Sequence, residues 1–134
     1  MLEDYIPEFN ENRYVKYVKN INNFGSLDYA RRYIQERTPK ESYFQKRIIN
    51  GIRIAHPDAL VIKIAQGPYS HGGFPDVFVL WRGTYFGFEV KRPIGGRISR
   101  LQEKMMQELR DAGGVTAVVR WPEEALHIME NNRG

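Results

Sequence analysis

Residues 76–91 read DVFVLWRGTYFGFEVK, and this stretch predicts a β-hairpin that contains the main candidate functional residues of the chain. Two runs of β-branched and aromatic residues flank the dipeptide Arg82-Gly83, where we expect the chain to reverse. Because side chains alternate along a strand, the apolar residues of the second run point to one face while Glu89 and Lys91 share the other. An acidic and a basic group therefore stand together on one face.

The register of this hairpin decides whether two carboxylates oppose each other. With an even loop Trp81 pairs with Thr84 and, counting back, Asp76 pairs with Glu89. Directly opposed Cβ atoms lie about 5 Å apart, and like charges there are destabilising unless a counter-ion such as a divalent cation neutralises them. A bulged three-residue loop is the alternative, since Arg82 would need a positive φ in the two-residue turn, and it shifts the register by one.

Composition limits the class of protein and the kind of metal site. A chain of 134 residues with a net charge of +4 and no cysteine has the size of a single domain. Without thiolates the credible metal ligands are oxygen atoms, which favours Mg²⁺ or Mn²⁺. The positive charge suits an anionic partner such as nucleic acid. No apolar run has membrane-spanning length and the first residues do not resemble a signal peptide, so we expect a cytoplasmic protein with no membrane partner.

The chain as a whole predicts an α/β fold in which a helical extension, residues 1–37, precedes a core, residues 38–134. The helix between the hairpin and the last strand permits a parallel crossover, so we expect a mixed sheet flanked by helices. The predicted elements are two helices within residues 10–37 (the first ending at Gly25, the second capped by Ser26), a helix at 39–55, strands at 60–66, 76–81 and 84–91, a helix at 100–112, a strand at 115–120 and a helix from Pro122.

Three motifs in a fixed order make the sequence similar to a known family. They are Gly73-Phe74-Pro75-Asp76, then Glu89-Val90-Lys91, then Gly96-Arg97-Ile98-Ser99 followed by Gln102. Between Glu41 and Trp121 the chain resembles VRR-NUC domains, a branch of the PD-(D/E)xK nuclease superfamily, in its stand-alone viral or bacterial form. The resemblance implies a restriction-endonuclease-like αβββαβ core, Mg²⁺- or Mn²⁺-dependent cleavage of DNA, and homodimers that act on branched DNA.

The resemblance also assigns roles to the hairpin residues. It makes Asp76 and Glu89 metal ligands and adds the carbonyl oxygen of Val90. It makes Lys91 the catalytic residue that orients or deprotonates the attacking water and offsets charge on the phosphorus. The alternative is an ordinary hairpin whose Glu89 and Lys91 form a solvated polar face.

Two further candidates have a structural alternative. Glu41 lies on the same helical face as the apolar residues that follow it, so it can reach the site as a catalytic residue and metal ligand. In the alternative it closes a capping box with Thr38 as N-cap. Gln102 belongs to the active site by the family pattern, whereas Ser99 and Gln102 also form a capping box by spacing.

A basic, glycine-containing segment after the hairpin is the predicted DNA-backbone contact. Glycines allow close approach of a backbone and arginines donate forked hydrogen bonds to phosphate, although a solvated basic loop is the alternative. A glycine-rich stretch before Asp76 could cover the substrate. The candidate nucleic-acid ligands in these two segments and on the helix that follows are Arg92, Arg97, Ser99, Arg100, Lys104 and His71.

From these residues we expect a Mg²⁺- or Mn²⁺-dependent endodeoxyribonuclease that works on branched DNA in the manner of a Holliday-junction resolvase. Two alternatives stay open. A nuclease with the same chemistry could instead cut flaps, ends or recognised sequences, and a non-catalytic module could use the basic face to bind nucleic acid.

Overall fold

The computed structural model describes residues 2–65 and 72–132. Five helices and four strands lie within these ranges. They are α1 (Glu11–Asn22), α2 (Leu27–Arg37), α3 (Glu41–Ala55), β1 (Leu60–Lys63), β2 (Val77–Trp81), β3 (Thr84–Val90), α4 (Arg100–Asp111), β4 (Val115–Val119) and α5 (Pro122–Asn131). The predicted strand at 60–66 is shorter in the structure, and residue 66 lies outside the described ranges.

The four strands form one mixed sheet in the order β1-β2-β3-β4. The first three strands are antiparallel neighbours, whereas β3 and β4 are parallel. The parallel pair is joined through α4, which is the crossover that the sequence predicted. From α3 to β4 the order is αβββαβ, so the predicted α/β fold with a mixed central sheet and flanking helices is confirmed.

The hairpin turn has two residues, and the even register is confirmed. Trp81 pairs with Thr84, while Arg82 has a φ of 50° and Gly83 a φ of 83°. Both central residues therefore adopt the positive φ of a type I′ turn. The bulged alternative is wrong, because Trp81 pairs directly with Thr84 across a two-residue loop. The Arg82 Nε donates to Asp58 Oδ2 over 3.1 Å.

The two faces of the sheet are covered by different helices. Phe44, Ile48 and Ile52 of α3 are fully buried against one face, together with Phe86 and Phe88 of β3. This burial is the large apolar term that stabilises the fold. Helix α5 packs beside α3 on that face, and α4 lies on the other. The strand alternation thus leaves the polar face of β3 under the first turn of α4.

Helices α1 and α2 form a second, smaller core. Leu2, Val15 and Ile34 are buried in it, and so is Ile94 from the segment that follows β3. The first helix ends at Asn22 rather than at Gly25, because Asn23 itself takes the left-handed cap conformation with a φ of 54°. The predicted N-cap Ser26 is confirmed, since its side chain accepts from Tyr29 N. The shared Ile94 places both helices next to the segment predicted to bind DNA.

Among the described helices, none combines the length and the apolar character that crossing a membrane requires.

Candidate active site

Asp76 fixes the end of the sheet at which the candidate residues meet. It stands one residue before β2, and continuing the β2–β3 register by one pair sets it opposite Glu89. Its Oδ2 accepts from Val90 N over 2.9 Å, and its carbonyl oxygen accepts from Ile64 N over 2.8 Å. One residue therefore links three strands, which holds its carboxylate in a fixed position beside Glu89.

Glu89 is a buried carboxylate with one oxygen occupied and one left over. The residue is 1% exposed. Its Oε2 accepts from Gln102 Nε2 over 2.7 Å and lies 3.2 Å from Lys91 Nζ. Among the described residues its buried Oε1 has no hydrogen-bond partner. The alternative of a solvated polar face is therefore wrong for Glu89, and its unpartnered buried oxygen is available to a ligand.

The surroundings of Glu89 disfavour its charged form. Burial, and after it the nearby Asp76 carboxylate, raise its pKa from 4.5 to about 7, although Lys91 opposes this shift. A buried carboxylate that faces a second carboxylate is stabilised in the ionised form by a cation. The oxygen-only donor set suits a hard divalent cation.

Glu41 approaches the site from the N-terminus of α3. Its Oε1 lies 4.0 Å from Lys91 Nζ. The pKa of Glu41 is raised above its ordinary value. Burial is the main cause, Lys91 opposes the rise, and Asp76 adds to it. The capping-box alternative is wrong, because Thr38 ends α2 instead: its hydroxyl donates to Ile34 O over 2.7 Å. The Glu41 side chain is therefore left to interact with Lys91.

Lys91 stands between two carboxylates immediately after β3. Its backbone N–H donates to Val119 O over 3.1 Å, so the ladder with β4 continues up to this residue. Its side chain is 17% exposed and its Nζ contacts both Glu89 and Glu41. A lysine held in this way places its ammonium beside Glu89, and it also lines a neighbouring cleft, so it can donate to an anion bound there.

Gln102 forms the predicted capping box and also contacts Glu89, while its active-site role stays a prediction. Its Oε1 accepts from Ser99 N over 2.9 Å, and Ser99 Oγ accepts from Gln102 N over 3.1 Å, which completes the capping box of α4. Its Nε2 donates to Glu89 Oε2. Because the amide has a donor and an acceptor end, one side chain caps the helix and holds the carboxylate.

The described part of the chain contains no ready metal cluster. Within residues 2–65 and 72–132, no three His, Asp and Glu side chains converge. The facing carboxylates of Asp76 and Glu89 have the chemistry that a hard divalent cation prefers. Their role as metal ligands stays a prediction, and so do the roles of Glu41 and of the Val90 carbonyl, which the family resemblance implies.

A cleft of about 280 Å³ opens beside Lys91 and Glu41, and Arg97 lines it. Arg92 also reaches this cleft, but most of its donors point into the protein. Its Nε donates to Pro39 O over 2.9 Å, and its Nη2 donates to Gln35 O and Thr38 O over 2.6 and 2.9 Å. Arg92 therefore joins α2 to the site, and it is not free to fork onto a phosphate as predicted.

The remaining predicted DNA ligands lie at the surface. Arg97, Arg100 and Lys104 are exposed, and their contact with nucleic acid stays a prediction. Ser99 is exposed but uses its hydroxyl as the N-cap of α4. His71 lies outside the described residues.

Gly96 has a positioning role that the sequence did not specify. A Cβ built on it would lie 2.8 Å from Lys91 Cβ and 2.8 Å from Arg92 O. Only the absence of a side chain lets this segment pass so close to Lys91. The glycine appears in the motif, but a motif alone does not show which atoms it must avoid.

No family model matches the sequence, and no curated protein does. Comparison with solved structures finds a VRR_NUC domain at a TM-score of 0.54 and 26% identity. The match covers 69% of this chain and 96% of that one. Almost the whole of that domain therefore has a counterpart here, while about a third of this chain lies outside the match.

Proposed function

We propose that this chain, which belongs to the VRR-NUC family of PD-(D/E)xK nucleases, is a Mg²⁺- or Mn²⁺-dependent endonuclease that hydrolyses phosphodiester bonds in DNA. The observation that carries the proposal is the buried Glu89 opposite Asp76. Its Oε1 has no hydrogen-bond partner among the described residues, and its Oε2 lies 3.2 Å from Lys91 Nζ. Most buried carboxylate oxygens have a partner, so an unpartnered one next to a second carboxylate and a lysine favours a bound ligand.

In this proposal each residue of the site has a distinct task. Asp76, Glu89 and the Val90 carbonyl hold the cation, which, when bound, polarises the scissile phosphate and lowers the pKa of water. Lys91 donates to the phosphate oxygens and so offsets the charge that grows as water attacks phosphorus. Gln102 holds Glu89 in place.

The overall reaction breaks one P–O bond and forms another. The attacking water supplies the oxygen that forms the new bond, and its proton leaves toward the surrounding solvent through the polar cleft lined by Lys91 and Glu41. The departing sugar oxygen takes up a proton from solvent. The products are a phosphate monoester end and a hydroxyl end.

We further propose that the enzyme acts on branched DNA as a homodimer. The resemblance in sequence is the ground for the branched substrate. For the dimer there is an added observation, since α1 and α2 expose large apolar side chains. Tyr17 is 57% exposed, Ile21 59% and Tyr29 50%, so these helices offer a surface for a second copy. Light scattering on the purified chain tests the dimer.

End-labelled four-way junction, flap and linear duplex DNA test the function directly. We expect cuts in the junction with Mg²⁺ or Mn²⁺, no cuts in EDTA, and a loss of at least 100-fold for Lys91→Ala because the charge on phosphorus is no longer offset. Lys16→Ala, at an exposed lysine of α1, is the matched control and retains activity.

The panel also separates the alternatives. Metal-dependent cuts confined to the flap or the duplex would support the proposed chemistry and refute the four-way junction as the substrate. A folded protein that binds all three DNAs and cuts none would overturn the nuclease. Equal activity of Lys91→Ala and wild type would remove Lys91 from the mechanism.

A further inference from the structure

A second groove runs along α3 and shares no lining residue with the cleft beside Lys91 and Glu41. It has a volume of about 500 Å³, and its lining includes the cationic residues Lys46, Arg53 and Lys63. Ser42, Gln45 and Asn50 add polar groups to the same wall. None of the described residues that line the groove is acidic. We call it the α3 groove.

One end of the α3 groove lies close to the candidate active site. On the helix side of this end, Ser42 directly follows Glu41 in the first turn of α3. On the sheet side, Lys63 pairs with Val77, the residue after Asp76. The groove thus meets the sheet at the same end as the two facing carboxylates.

The two lysines of the α3 groove are available to an external anion. Lys46 and Lys63 are exposed, and neither forms an ion pair with any described residue. Arg53 differs, because its Nη2 donates to Val61 O over 2.8 Å and so serves the fold as well. Unpaired cations in a concave wall attract an anionic partner far more than scattered surface charges do.

The dimensions of the groove suit an extended phosphate chain. From Ser42 to Arg53 the helix advances about 17 Å at 1.5 Å per residue. One DNA strand places a phosphate roughly every 3.4 Å along the duplex axis, so this length spans about five phosphates. The amides and the hydroxyl of the wall can donate hydrogen bonds to phosphate oxygens without reading the bases.

From these observations we propose that the α3 groove binds the sugar–phosphate backbone of the DNA substrate beyond the scissile bond, an inference that rests on the proposed nuclease function. The groove guides one arm of the DNA away from the site. Its contribution is to affinity and orientation, and it confers no sequence preference.

Binding of fluorescently labelled DNA in EDTA, followed by anisotropy over a salt series, tests this groove without any cleavage. Lys46→Ala/Lys63→Ala is the variant. We expect the slope of log K against log salt to fall by about 2, since two phosphate contacts are lost, and the affinity near 0.1 M salt to fall roughly tenfold. Lys46→Arg/Lys63→Arg should restore the wild-type slope.

A control variant that loses the same charge elsewhere shows whether the change in salt slope is specific to the groove. Lys16→Ala/Arg32→Ala removes two exposed cations from α1 and α2, outside the groove. Equal slopes for the groove variant and wild type, or equal changes in both double variants, would overturn the proposal. Thermal melts verify that each variant is folded.

The proposal and the nuclease function fail in different experiments. Wild-type protein that cuts DNA while the groove variant keeps its salt slope overturns the groove alone. Protein that shows the groove-dependent slope and never cuts with Mg²⁺ or Mn²⁺ overturns the enzyme and leaves the groove as a DNA-binding surface.

Discussion

The buried carboxylate of Glu89 makes the stability of the metal-free protein depend on pH in a direction opposite to that of an ordinary surface acid. In the folded protein its pKa lies at about 7, against an ordinary value of 4.5. Between these values the folded state therefore binds more protons at this position than the unfolded state does. By linkage the free energy of unfolding falls as pH rises from about 4.5 to about 7, and stays at the lower level above.

The size of this effect follows from the pKa difference. The interval from 4.5 to about 7, at roughly 1.36 kcal/mol per pKa unit, corresponds to about 3 kcal/mol. Glu89→Gln has no proton to lose, so its stability lacks this decline. The difference between the unfolding free energies of wild type and variant should therefore change by about 3 kcal/mol between pH 4.5 and pH 8, with the variant relatively favoured at high pH.

Urea denaturation in EDTA, repeated at half-unit steps of pH, measures this difference. Using the difference removes the titrating groups that lie away from the site, which both proteins share. Glu103→Gln, at an exposed carboxylate of α4, tests whether the loss of any acid has the same result. Added Mn²⁺ should then stabilise wild type by about 2.7 kcal/mol at 100 times its dissociation constant, and leave Glu89→Gln unchanged.

Parallel pH curves for wild type and Glu89→Gln would refute this reasoning, because they would mean that Glu89 titrates alike in the folded and unfolded states. A divalent ion that stabilises both proteins equally would refute the assignment of Glu89 as its ligand. The two results are independent of catalysis, so they test the site even in the absence of a known substrate.

Two further substitutions probe how the site is positioned. Gly96→Ala should lower cleavage by about 100-fold, because the new Cβ would lie 2.8 Å from Lys91 Cβ and must displace that side chain. Gly25→Ala is the control and should match wild type in the same assay, since a Cβ there has no atom within 4 Å. Gln102→Glu keeps an acceptor for Ser99 N but sets a carboxylate against Glu89, so α4 should remain folded by circular dichroism while cleavage falls at least tenfold. Full activity of either site variant would contradict its assigned role.

The hairpin could be predicted from the sequence because its determinants are local. Alternating apolar residues and the Arg82-Gly83 reversal set the faces and the two alternative registers. The choice between the registers depends on burial, because a one-residue shift would move buried side chains of the hairpin off the core face. The steric preference that disfavours arginine in the turn is therefore outweighed by packing that the local sequence does not show, and the exposed ion pair of Arg82 with Asp58 adds little.

The errors in the sequence analysis have the same origin. Thr38 has the spacing of an N-cap for α3, yet it closes α2 by donating to Ile34 O. Arg92 belongs to a basic, glycine-containing segment of the kind that binds phosphate. In the structure it donates instead to three carbonyl oxygens at the junction of α2 and α3. In both cases the hydrogen-bond partner is a carbonyl oxygen in or next to α2, and the sequence does not show how α2 packs against the rest of the chain.

This docking gives the N-terminal helices a part in the candidate site. Arg92 follows Lys91 directly, and its guanidinium holds the carbonyls of Gln35 and Thr38, while Ile94 is buried between α1 and α2. Any movement of these helices must therefore pull on the segment that begins at Lys91. Since the Arg92 donors and the part-buried carbonyls that they bind are costly to leave unpaired, the position of α2 is coupled to the segment that begins at Lys91. The N-terminal helices thus contribute to the position of Lys91, the residue proposed to act on the phosphate.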